Sequence, residues 1–533
     1  MFSEEEKKIL EQFMTNMDKS IFVLKNLPEV VKGALFARYS RSSKSLREVL
    51  LREFIQMPES GFKDIVNYSK GSGHDEVVAI KKAEEFYDRV LVGYGDDSVA
   101  ELAGVHIAIE DVSNIAVKFI QDARIGICPL EKSTRYVYFD EKDKNGKWLY
   151  VEEPGIMQSE FADDYIMTCN RLFETYSKLK PQVSKYVEEK YPQGEESERA
   201  YKSTIRAKTC DLLRGLLPAS TKTNMGAFGN GRAFEYLLTR MYASDLEEVR
   251  SAASSIYEEL RKVMPSFVKR SGSEQGKVIQ EYWKGIRQKM VDEGTGFQLP
   301  STANLPVKLV DYDKNALNKL VAFALFEYTR LPVESILHEV SSMPDDYKLK
   351  IFSMYVGDRK NRRTKPGRAF ENVYYTFDIC ANFGCFRDIH RHRILTQQRQ
   401  FLTTAHGYTT PKELSEGGFE PEFKDAMKLA DETYKKIVVK MPEEAQYIVP
   451  FAYNLRWYMT LNLREAYHFC ELRSTPQGHV DYRRVAQQMY QEIKKVHPFV
   501  EMQVDMKEYG LERLEAEKWI DKRLEEVKKK YSN

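Results

Sequence analysis

Arg391-His392-Arg393 sets three cationic or proton-donating side chains on consecutive residues. Three neighbours in a row cannot share one helix face, so the triplet reads as a turn whose side chains fan around a polyanion such as a diphosphate. A second string, Glu131-Lys132-Ser133-Thr134-Arg135-Tyr136, alternates carboxylate, hydroxyl and guanidinium, so that one face of a loop can offer all three to a ligand. Taken singly, each arginine is more often an ordinary surface ion pair.

The arrangement of these strings along the chain gives them weight. Leu217-Pro218, Asn230-Gly231-Arg232 and Arg240 are answered by Val449-Pro450, Asn462-Leu463-Arg464 and Arg473. Pro218 to Pro450, Asn230 to Asn462 and Arg232 to Arg464 share one offset of 232 residues, and Arg240 to Arg473 is one longer. A fixed offset across polar positions indicates an internal duplication. The copies differ in the middle, where the first carries an insertion of about 38 residues, placed within 140–205.

The elements that must position these residues follow from periodicity. Strands are expected at Val105–Ile109, Val307–Tyr312 and Val373–Ile379. Helices are expected at Ser3–Met17, Asn315–Phe326, Cys380–Ile389, Lys424–Lys440 and, as long unbroken runs, Leu237–Met264 and Tyr467–Val496. Strands early and helices late in each copy give an α+β class: two tandem units, each a small antiparallel or mixed sheet with long helices. The expected division is a first unit over 1–270, a polar linker over 271–304, a second unit over 305–500 and a charged C-terminal helix over 501–533.

Composition narrows the function classes. The 533 residues carry 81 Lys and Arg against 80 Asp and Glu, a net charge of +1, so no global field draws in nucleic acid or an anionic membrane. No apolar run approaches the ~20 residues of a membrane span. The six cysteines form no CxxC pair and no zinc-like spacing with histidine, and the acidic N-terminus is unlike a signal peptide, which together point to the cytoplasm and to no metal.

The ordered set of strings, present twice, resembles the flavin-dependent thymidylate synthases. That family is marked by an Arg-His-Arg triplet, a following Glu-x-Ser-x-Arg loop, an upstream His/Ser/Glu segment matched here by Asp96-Asp97-Ser98-Val99-Ala100-Glu101, and a later series of Arg-x-x-Leu-Pro, Asn-x-Arg and Leu-Arg. The resemblance implies nucleotide binding by Glu131, Ser133, Arg135 and Arg214, and flavin binding by Arg391, His392, Arg393, Asn462, Arg464 and His468, with Ser98, Asn230 and Arg232 as remnants of the other flavin set. It implies that Arg473, with Arg240 as the other candidate, faces the pyrimidine.

The departures divide by role. The second copy has Arg399, Phe401, Thr403 and Gln446 where the first keeps the nucleotide residues, and the first has lost the triplet and carries Tyr236 in place of His468. The implied site is therefore composite, with the first copy's nucleotide loop facing the second copy's flavin elements, in a homodimer that is a pseudo-tetramer of units. The implied reaction is reductive methylation of dUMP with FAD as cofactor and methylenetetrahydrofolate and NADPH as co-substrates. No covalent nucleophile is needed, and Cys128-Pro129 inverts the Pro-Cys order of the cysteine-dependent synthases. C5 methylation of another uridine nucleotide and a non-catalytic nucleotide- or flavin-binding scaffold are the alternatives, the latter because neither copy is complete and Asp96 stands where the family has His.

Overall fold

The computed structural model describes residues 2–56, 97–294 and 306–531. By internal contacts the chain divides into two compact units: residues 1–112, 116–131 and 223–298 form one, and 113–115, 132–222 and 299–533 the other. This division cuts across the repeats, since 132–222 belongs to the first repeat by sequence yet packs with the second.

The first unit holds most of a three-stranded sheet ordered β1-β3-β2, from Gly104–Ser113 (β1), Ile127–Glu131 (β2) and Lys222–Asn230 (β3). Helices Gly231–Tyr242 and Glu247–Leu260 follow β3. They replace the single helix expected over Leu237–Met264, because the first ends at Ala243. Ser3 caps the N-terminal helix through a reciprocal bond with Glu6, but that helix stops at Leu10, short of Met17. Within the expected linker, Glu274–Gly294 is a 21-residue helix, and 295–305 lie outside the described residues.

The second unit is built on a four-stranded antiparallel sheet ordered β4-β5-β7-β6, from Val307–Tyr312 (β4), Tyr374–Asn382 (β5), Thr396–Arg399 (β6) and Asn454–Asn462 (β7). Alternate residues of β5 and β7 point inward, burying Tyr375, Phe377, Ile379, Leu455, Trp457, Met459 and Leu461, and helix Val480–Val496 packs on the sheet through β4 and β5. Helices Ala162–Lys190 and Glu198–Leu213 lie between β2 and β3, and the first packs against Glu420–Val438. The expected helix Tyr467–Val496 is two helices, Leu463–Arg473 and Val480–Val496, separated by a segment with Pro476 and Gly478. Residues 380–382 complete β5, so the helix expected from Cys380 starts at Phe383.

The C-terminal helix, Leu514–Tyr531, is not a free tail. Arg199 of helix Glu198–Leu213 meets Glu517 at 3.1 Å and also pairs with Asp521. Just before it, Glu512 shares the buried ammonium of Lys208 with Glu413, at 3.1 and 2.7 Å.

Strand register tests the duplication residue by residue. Glu131 lies opposite Met225 and Arg399 opposite Trp457, and Met225 and Trp457 are separated by the repeat offset. Glu131 and Arg399 are therefore equivalent. In the second unit Pro218 and Pro450, equivalent residues, bridge to each other antiparallel.

Candidate functional site

The second unit gathers five arginines of both repeats around a buried carboxylate, Asp211, and a part-buried one, Asp388. Arg135, in the loop after β2, donates from Nε and Nη2 to the two oxygens of Asp211 at 2.8 and 2.7 Å. Its Nη1 reaches the Gln477 carbonyl at 3.3 Å and the Tyr482 hydroxyl at 3.4 Å. Asp211 lies one helical turn before Arg214, whose Nη1 donates to Asp388 at 3.0 Å. Asp388, at the end of helix Phe383–Ile389, also accepts from Nη2 of Arg391 at 3.2 Å. Arg387 on the same helix donates to Thr134 at 3.1 Å.

Burial works to raise both carboxyls, but the guanidinia beside them win. Arg135 and His479 hold Asp211 below the usual carboxylate range, and Arg214 and Arg391 hold Asp388 well below it. Arg135, Arg214 and Arg391 are thus paired from within. Nη2 of Arg214 is a buried nitrogen with no hydrogen-bond partner among the described residues. It runs under Gly384, where a Cβ would stand 3.3 Å from both Nε and Nη2, so a larger residue there would crowd the guanidinium. A cavity of about 360 Å³ adjoins Arg214 and Asp211, walled also by His479, Arg484, Lys507 and Tyr509.

The triplet does not fan outward as a unit. Arg391 is exposed and Arg393 half-buried, but His392 turns inward, 5% exposed. Its Nε2 accepts from Nε of Arg473 at 2.9 Å, and its Nδ1 sits 2.8 Å from Glu465. Tyr482 stands between the repeats' arginines, with the Arg473 guanidinium 5.5 Å and that of Arg135 5.8 Å from its ring. Burial and Arg391 lower the pKa of Arg473. His392, Glu465 and His468 bring three ligand-type atoms within 4.8 Å of one another, but both nitrogens of His392 are engaged, so His392 itself offers no free lone pair to a metal.

The Asn-x-Arg strings have a structural role in each repeat. The Asn462 side chain caps the N-terminus of helix Leu463–Arg473, as Asn230 caps Gly231–Tyr242. Arg464 pairs with Glu371 at 3.1 Å, and Arg232 with Glu101 at 2.7 Å, one ion pair repeated. Counted from these caps, Arg473 corresponds to Met241 and not to Arg240, which lies one position earlier and stacks 5.5 Å from the Phe119 ring. His468 is half-buried, its ring 5.4 Å from that of His392.

Glu131, Asn230, Arg232 and Arg240 belong to the first unit. There Glu131 is bound at 2.7 Å by the buried Lys118. At the equivalent places of the second repeat, Arg399 lies 5.8 Å from the Phe386 ring, so both members of the pair have changed together. Ser133, in the second unit, accepts from the Arg135 backbone at 3.2 Å. Ser98 lies on the short helix Asp97–Ala100, and its side chain is outside the described residues. Sequence reasoning missed Asp211, Asp388, Glu465 and Tyr482. Two of these stood three residues before an assigned arginine and Glu465 three after a capping asparagine, the spacing of one helical turn.

With this geometry in place, comparison with known proteins gives a consistent answer. The family model for thymidylate synthase complementing protein matches residues 43–266 and again 308–499. The chain belongs to that family. It carries the family's domain twice, as a tandem duplication. A relative in Chlamydia muridarum, known only as a UPF0159 protein, is 45% identical over 97% of this chain and 98% of its own. A UPF0159 protein of Thermoplasma acidophilum is 34% identical over 91% and 97%. A flavin-dependent thymidylate synthase of Saccharolobus solfataricus is 32% identical over 24% of this chain and 52% of its own. Among solved structures, a UMP/dUMP methylase of Streptomyces cacaoi aligns with TM-score 0.28 and 18% identity, over 36% of this chain and 91% of that one.

Proposed function

We propose that the chain catalyses flavin-dependent reductive methylation of a uridine nucleotide at C5, dUMP to dTMP, with methylenetetrahydrofolate as one-carbon donor and NADPH as reductant. The observation that carries this reading is the Arg214–Asp388–Arg391 chain of contacts. It joins the first repeat's nucleotide-type arginine to the second repeat's flavin-type triplet inside one compact unit, which supports a composite site drawn from both repeats.

The donor set fits a flavin dinucleotide. Arg391 and Arg393 would hold its diphosphate, because they are the members of the triplet that reach solvent. When bound, FAD supplies the hydride that completes the methyl group. The chain's own residues bind, orient and polarise. Arg214, with its unpartnered Nη2, is the donor for a nucleotide phosphate. Arg473 gives its Nε to His392 and lies beside Tyr482, and its guanidinium is the group that would meet the O2/N3 edge of a pyrimidine. A guanidinium there stabilises negative charge on the ring and makes C5 nucleophilic.

The test is direct. Purified protein supplied with FAD, NADPH and methylenetetrahydrofolate is offered dUMP or UMP, and the products are weighed by mass spectrometry. A C5-methylated nucleotide supports the reading, with the preferred substrate set by the faster arm. A preparation that takes up FAD and binds either nucleotide but forms no methylated product contradicts it in favour of a binding scaffold.

A further inference from the structure

His392 is held from both sides, by Glu465 at Nδ1 and by Arg473 at Nε2. An arginine N–H can only donate, so Nε2 is unprotonated, the ring is the Nδ1–H tautomer and Glu465 accepts. Burial, with Arg473 and His468 adding to it, keeps the imidazole well below its ordinary pKa, so the ring is neutral and the contact is not an imidazolium–carboxylate pair. Glu465 is the member that changes charge near neutrality: burial raises its pKa to about 7, against the pull of Lys365, Arg473 and Arg464.

The trio is a feature of one repeat. Counted from the capping asparagines, Glu465 corresponds to Ala233 and Arg473 to Met241, while His392 corresponds to Arg124, counted from Asn382 and Asn114. All three positions differ together in the first repeat, and none of its residues can rebuild the chain of bonds.

We propose that Glu465 is a positioning residue for Arg473: it fixes the tautomer of His392, His392 holds Nε of Arg473, and loss of the Glu465 proton weakens the arginine's hold on an anionic pyrimidine nucleotide. The ligand half of this inference rests on the proposed function, whereas the internal half does not. An ionised Glu465 places negative charge behind Arg473 and lowers the potential an anion meets. By linkage, nucleotide affinity falls as pH rises through the Glu465 titration. The other charged or titratable groups around the Glu465–His392–His468 cluster include Lys365, Arg362, Arg464 with its partner Glu371, Arg391 and Glu471.

The experiment uses full-length protein labelled with nitrogen-15 arginine, in which the Arg473 Nε–H resonance is assigned by its loss in Arg473→Lys. Wild type and Glu465→Gln are followed from about pH 6 to about pH 8, and dUMP and UMP affinities are measured by calorimetry over the same range. The Arg473 resonance is expected to move with a midpoint near neutrality in wild type and to stay put in Glu465→Gln. Affinity is expected to weaken roughly five- to tenfold across the range in wild type relative to the variant, whose comparison cancels the titration of the nucleotide phosphate. Should Glu465→Gln not fold, Glu465→Met removes the same titrating carboxyl and carries the same expectation. A resonance that titrates identically in both proteins, or not at all in wild type, overturns the positioning role. Parallel affinity profiles overturn its coupling to the ligand. A resonance that titrates through Glu465 while neither nucleotide binds at any pH supports the positioning role and overturns the proposed function instead.

Discussion

Arg214 of the first repeat donates to Asp388 of the second at 3.0 Å, and the same carboxylate accepts from Arg391 of the triplet at 3.2 Å. One part-buried acid therefore holds together a guanidinium of the nucleotide type and one of the flavin type. Asp388→Asn leaves Arg214 without its counter-ion, and breaking a buried pair from one side costs about 3–5 kcal/mol. Urea denaturation is expected to show a loss of that order.

The same pairing fixes a pH dependence. The native pKa of Asp388 is depressed, so its contribution is present above the unfolded carboxylate value of about 4 and is lost as pH falls from there through the native value. The melting temperature of wild type should fall steeply below about pH 4, and that of Asp388→Asn should fall less. Parallel acid limbs would mean that Asp388 is not held ionised.

Arg135 and Ser133 separate stability from binding. Arg135 is buried and doubly bonded to Asp211, so Arg135→Ala strands a carboxylate at a cost of about 3–5 kcal/mol and confounds any binding measurement. Ser133→Ala removes one backbone contact, worth about 1 kcal/mol. Its chemical denaturation midpoint should stay near wild type while dUMP affinity drops, which makes it the informative variant of the pair.

Flavin retention tests the triplet. Arg391→Ala with Arg393→Ala removes two diphosphate donors, each worth roughly 1.5–3 kcal/mol. The protein should fold and lose its flavin absorbance on gel filtration. His392→Ala is expected to behave differently, losing stability first, because it strips a buried partner from Glu465 and from Arg473.

Turnover tests Arg473. Arg473→Lys keeps the charge but loses the planar fork, and kcat should fall by roughly 10² to 10³ with flavin content unchanged. Arg240→Lys should leave kcat near wild type, since Arg240 does not occupy the Arg473 position of its own repeat.

Sequence carried the duplication, which rests on residue identity at a fixed offset, and the α+β class, which rests on hydrophobic periodicity. β4 was legible to the residue, since Val307–Tyr312 alternates cleanly. The helix breaks at Ala243 and Ser474 were not, because amphipathic periodicity continues across a short turn when both helices bury the same side. Nor was the inward turn of His392: three adjacent polar residues give no sign of which one finds buried partners, and Glu465 lies 73 positions away. The association of 132–222 with the second repeat was equally hidden, since self-similarity reports ancestry and not which segments pack together.

Arg214→Gln tests the composite site most directly, because it gives the first repeat the residue that the second carries at the equivalent position, Gln446. Calorimetry of the folded variant with dUMP should show affinity weakened roughly tenfold to a hundredfold, the loss of one charge-assisted phosphate donor. Unchanged dUMP affinity in Arg214→Gln would contradict the assignment of the nucleotide site to the first repeat's arginine.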